Sequence, residues 1–85
     1  MPRQHVWTER DAAGSRREVR ATWFARAWRL QSKSGDEERW TYHDPPLRND
    51  LIALKQLVER KYRRRRATLD ELSAIERLLQ EQNFE

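Results

Sequence analysis

Hydrophobic residues alternate or sit in short runs along the first half of the chain; in the second half they recur every three or four positions. That change of period separates strand-forming from helix-forming sequence. Between residues 17 and 31, Val19, Ala21, Trp23, Ala25 and Ala27 share one side of an extended chain. Arg20, Thr22, Phe24, Arg26, Trp28 and Leu30 share the other. The same run also fits a helix, with Val19, Trp23, Ala27 and Leu30 in one stripe, but Arg20 then falls inside the stripe and Phe24 and Trp28 outside it. The segment Ser32-Lys33-Ser34-Gly35-Asp36 is a turn signal, and Trp40 and Tyr42 alternate beyond it among good strand formers. The pattern predicts a β-hairpin with strands at about 19–31 and 38–43; an all-α fold with residues 17–31 helical is the alternative.

Asp44-Pro45-Pro46 ends the second strand, since proline suits a helix start better than a central strand. Leu47, Leu51, Leu54, Val58 and Tyr62 then fall on one helical face, predicting a helix over about 47–65 capped by Asp44 or Asn49. Thr68 and Glu71 have the spacing of a capping box and open a second helix, about 69–82, with Leu69, Leu72, Ile75 and Leu79 on its apolar face. The short joint near Arg66-Ala67 makes the two helices neighbours. The expected fold is α+β: one β-β-α-α domain over residues 17–85, with the hairpin packed on the helix pair. Residues 1–16 read as a flexible tail, because Asp11-Ala12-Ala13-Gly14-Ser15 is small and polar and only Val6 and Trp7 before it are large and apolar.

Size changes what function is expected. A domain of 85 residues buries only about 60–65% of its unfolded surface, so function belongs on a face or an edge rather than in a deep pocket. Charged residues make up 38% of the chain and hydrophobic ones 36%, a balance that alone would suggest disorder; four tryptophans argue for a packed core. The net charge of +4 favours a polyanionic partner, RNA or DNA. Without cysteine there is no disulfide, thiolate nucleophile or cysteine-bound zinc. With no long apolar run, the expected address is cytoplasmic, with no membrane contact.

Two features carry candidate chemistry. The first is the run Arg60, Lys61, Tyr62, Arg63, Arg64, Arg65, Arg66. Its cations wrap the end of a helix, where arginine makes bidentate phosphate contacts and releases counterions. The competing reading is structural: cations offset the negative end of the helix dipole, and Asp70, Glu71, Glu76, Glu81 and Glu85 stand ready to pair with them. The second feature is the hairpin. Two helices cover one side of a two-stranded sheet, so the other would expose Phe24, Trp28 and Leu30 beside Arg20 and Arg26, or else Trp23 beside small residues. That surface suits nucleic acid, a protein partner or a second copy of the chain, unless Val6 and Trp7 of the tail cover it.

Catalysis is not expected. His43 has Glu38 and Asp44 nearby but reads as a solvated strand-end residue; Ser32, Ser34 and Ser73 have no matched base; two glycines cannot make a phosphate loop; and no metal-ligand spacing occurs. No cofactor is implied. A hairpin with arginines followed by a helix is loosely similar in outline to the sheet-reading DNA-binding domains of phage-type integrases. The likeness covers about half of the chain, lacks their third strand and transfers no residue. Two functions follow as expectations: a small basic module that contacts nucleic acid through the arginine-rich helix end, or an interaction module (homodimer or accessory subunit) that uses the aromatic face or an edge of the hairpin.

Overall fold

The computed structural model describes residues 3–82. Four strands form one antiparallel sheet: β1 (Arg3–Arg10), β2 (Arg16–Phe24), β3 (Ala27–Ser34) and β4 (Thr41–His43). Each pairs with its neighbour in sequence, in the order β1-β2-β3-β4. Two helices follow, α1 (Arg48–Arg63) and α2 (Leu69–Gln82). They lie on one face of the sheet, in a body 21 Å through its thinnest direction, as two layers require. The α+β class and both helices agree with the sequence pattern; the sheet has two more strands than that pattern predicts.

The largest difference is at the N-terminus. Residues 3–10, expected within a flexible tail, form the edge strand β1, paired with β2 from Arg3↔Trp23 to Arg10↔Arg16. Residues 1 and 2 of that tail lie outside the described residues, as does Glu85. The segment 11–15 is the connecting turn. Asp11 Oδ1 accepts from the backbone N–H groups of Ala13 and Ser15, both at 2.9 Å, and Gly14 takes φ +82°, which a residue without Cβ adopts freely.

The expected single strand over 19–31 is two strands. The chain reverses at Ala25-Arg26, between the pairs Phe24↔Ala27 and Trp23↔Trp28. Both turn residues have positive φ, 53° and 61°, the geometry of the tightest hairpin loops. The reversal changes which residues share a face. Trp28 and Leu30, on the opposite side from Val19, Ala21 and Trp23 in a continuous strand, become the cross-strand partners of Trp23 and Ala21 and join the face that holds Val19. All five then point at the helices. The strand expected at 38–43 is confined to Thr41–His43.

The core joins Ala21, Trp28 and Leu30 of the sheet to Leu51, Leu54 and Val58 of α1 and Leu72 and Ile75 of α2. Trp28 donates its indole N–H to the Glu71 carbonyl at 2.9 Å, so the largest core side chain leaves no unpaired donor. Leu47, Tyr62 and Leu69, assigned to the apolar faces by spacing, lie at helix ends and are exposed. The start of α1 has Leu47 at the N-cap with no side-chain cap, so neither Asp44 nor Asn49 caps it. The Thr68–Glu71 capping box forms as expected: the Glu71 N–H donates to Thr68 Oγ1 at 3.2 Å, and the Thr68 N–H to Glu71 Oε1 at 3.3 Å.

Candidate nucleic-acid interface

The end of α1 is built by an unusual cap. The Arg66 N–H donates to the Lys61 carbonyl at 2.7 Å and the Arg65 N–H to the Tyr62 carbonyl at 3.0 Å. These two bonds form the Schellman closure, which calls for a left-handed residue and normally takes glycine there. Here the position is held by Arg65, at φ +59°. The sharp reversal splays the cations outward. Arg60, Arg63, Arg64, Arg65 and Arg66 are all exposed. Arg60, Lys61, Arg64 and Arg66 line a groove of about 280 Å³ with Leu57 as its apolar wall.

The acidic residues of α2 do not neutralise this collar. Among the described residues none of the five exposed arginines is in an ion pair. Glu71, in the first turn of α2, is buried, and its partner is Arg3 at 2.9 Å. The same Arg3 Nη1 donates to the Arg66 carbonyl at 3.0 Å, which ties the collar to the start of β1. Lys61 departs from the rest of the run. It is half-buried, and its ammonium lies 3.1 Å from Nδ1 of His5. An ammonium only donates, so Nδ1 accepts and the imidazole is neutral. Burial, and then the charge of Lys61, push the His5 pKa below its ordinary value. His5 Nε2 and Glu71 Oε2 are left buried without a hydrogen-bond partner.

The sheet face away from the helices is open. The expected surface of Phe24, Trp28 and Leu30 is not found there. Trp28 is only 6% exposed and Leu30 is fully buried, because the Ala25-Arg26 turn sends both into the core. Phe24 remains, at 54% exposed. Arg20 lies on this face, donating to Gln31 Oε1 at 3.1 and 2.8 Å and stacking 4.2 Å from the centre of the Trp40 ring. Lys33 approaches the same ring at 5.0 Å. Arg26 stands at the hairpin tip, beside Asp70 and Arg77 of α2.

Sequence reasoning missed two residues of this face, Arg29 and Tyr42. Tyr42 is 52% exposed, and with Thr22, Phe24, Arg29 and Gln31 it lines a shallow cleft of about 320 Å³. The parity of the hairpin was the available signal. A run with large apolar residues on both sides of one strand is satisfied only when a reversal places Trp23 opposite Trp28.

The structure also supplies Ser32 with the base that the sequence did not reveal. Ser32 Oγ lies 2.6 Å from Nε2 of His43, across β3 and β4. Ser32 is only 6% exposed, which leaves no room for a substrate carbonyl at Oγ. The pair closes the short β3–β4 ladder. No cluster of three or more metal-ligating side chains occurs among the described residues, and no described helix is long and apolar enough to cross a membrane. Comparison with protein-family models, curated proteins and solved structures finds no match for this chain.

Proposed function

We propose that the protein is a non-catalytic module that binds nucleic acid through the arginine-rich end of α1. The observation that carries this reading is the unneutralised collar: Arg60, Arg63, Arg64, Arg65 and Arg66 are all exposed at one end of α1, and among the described residues the acids of α2 pair with none of them. Offsetting a helix dipole needs about half a unit charge; five arginines far exceed that. A row of phosphates supplies the missing counter-charge, and each phosphate neutralised releases condensed cations from the nucleic acid.

The other reading, a protein or homodimer interface on the aromatic face, loses two of its three residues to the core, since Trp28 and Leu30 are buried. The β1 edge is a poor template for a second copy, because its charged residues Arg3, Glu9 and Arg10 resist strand addition.

Fluorescence anisotropy with labelled oligonucleotides over a salt series tests the proposal. Log affinity should fall linearly with log salt, and Arg63/Arg64/Arg65→Ser should flatten the slope by about 2 to 3, at ~0.7–0.9 per lost contact. Absence of binding at low salt, or a variant that binds with the wild-type slope, overturns it.

A further inference from the structure

The open face of the sheet is a second surface with its own chemistry. Strand alternation places Arg10 of β1, Arg16 and Arg20 of β2, and Arg29 and Lys33 of β3 on it. Among the described strand residues only one acid, Glu18, accompanies these five cations, and it pairs with Arg16 at 3.8 Å. Two large aromatic side chains stand among them half in solvent, Phe24 at the end of β2 and Tyr42 on β4. Arg29 and Gln31 lie between these on β3, in the same cleft. Gln31 accepts from Arg20 through its carbonyl oxygen, which leaves its amide N–H groups to donate.

We infer that this face is a platform for single-stranded nucleic acid, with unpaired bases stacked on Phe24 and Tyr42 and phosphates held by Arg29 and its neighbouring cations. The inference rests on the proposed binding of nucleic acid by the α1 collar and names the form of that partner. Three arguments carry it. Phe24 and Tyr42 offer flat π-faces, which an unpaired base can cover and a base inside a duplex cannot. The charge of the face selects a polyanion and opposes a second copy, which would set five cations against five. The collar lies at the correct end of the sheet. Arg3 holds the Arg66 carbonyl at 3.0 Å and pairs in register with Trp23, the residue before Phe24. A strand held at the collar need only cross the start of β1 to reach the cleft.

The stacking contribution separates from the phosphate contribution by its salt dependence. The full chain is titrated against labelled oligo(dT), oligo(U) and a duplex of matched length, in a salt series. Oligo(dT) or oligo(U) should bind more tightly than the duplex. Phe24→Ala and Tyr42→Ala should each weaken single-strand binding about ten-fold, with an unchanged salt slope and unchanged duplex binding. Tyr42→Phe should restore the affinity, and Arg29→Ser should lower the slope by about 0.7. Both aromatics are about half exposed, so circular dichroism should show these variants folded.

If the collar variant loses affinity while the two aromatic variants match the wild type, the platform is overturned and the collar reading stands. If neither single strand nor duplex binds, both readings fall. If nucleic acid does not bind but Phe24→Ala changes the sedimenting mass, the face is a protein interface, and the inference is overturned in that way.

Discussion

Arginine occupies two opposite settings in this molecule, and the corner around Arg17 contrasts with the end of α1. Arg17 is largely buried and gives a bidentate pair of bonds, 2.7 and 2.9 Å, to the carboxylate of Asp50, plus one of 2.7 Å to Glu9. One guanidinium thereby joins β1, β2 and the first turn of α1, and these bonds raise its pKa further above an already high value. The arginines at the end of α1 have the same side chain and no ionic partner among the described residues. The contrast shows that charge density alone is a poor guide to a binding surface. What separates the proposed binding cations from a structural one is whether the fold has already supplied the anion.

The contrast is broken most directly at its buried end. Arg17→Ala leaves the fully buried Asp50 without a counter-charge and is expected to cost about 3–5 kcal/mol, most of the stability of a domain this small. Arg63/Arg64/Arg65→Ser, in the same urea titration, should shift stability by less than about 1 kcal/mol. Equal effects would erase the distinction.

A smaller effect is expected at the residue where the two regimes meet. His5 accepts from Lys61 as a neutral ring, and burial holds its folded-state pKa below the ordinary imidazole value of 6.5. Between 6.5 and that lower value the unfolded chain binds a proton that the folded chain refuses, so stability falls as pH drops through the window. The slope should approach about 1.4 kcal/mol per pH unit, and His5→Gln should flatten it. A urea midpoint with the same pH dependence in both proteins would exclude His5 as the source.

The smallest effect sharpens the comparison within one residue. Arg65→Gly removes the left-handed penalty at the end of α1 and should stabilise the protein by about 0.5–1 kcal/mol. It should also lower the salt slope of nucleic-acid binding by about 0.7–0.9. A rise in melting temperature with no loss of affinity would place Arg65 outside the interface.

Legibility from sequence followed the source of each element's stability. The helices were plain because their burial is apolar and periodic: Leu51, Leu54 and Val58, then Leu72 and Ile75. The capping box was plain because its two partners are three residues apart. Strand β1 was hidden because its inward positions are Arg3, His5, Trp7 and Glu9, mostly polar residues. Their partners are Glu71 and Lys61, from distant parts of the chain, and Arg17, from the next strand, so no apolar alternation marks the strand. The β2–β3 turn was hidden because Ala25 and Arg26 take the left-handed conformation that glycine or asparagine would advertise. The arginine run was visible as composition. Its lack of neutralising acids was not, because that depends on Glu71 being held by Arg3.

The two layers are also separated in time. Among the described residues every strand lies within 3–43 and every helix within 48–82, so during synthesis this sheet emerges before the helices that cover it. At about 5–20 residues per second, the apolar side carrying Val19, Ala21, Trp28 and Leu30 stays bare for seconds, until Leu51 to Ile75 arrive. The nascent chain is therefore most prone to aggregate when it is half made. Shortening the delay is not open to this topology, but separate fragments carrying the sheet and the helix pair would each present one complete half of the core for reassembly.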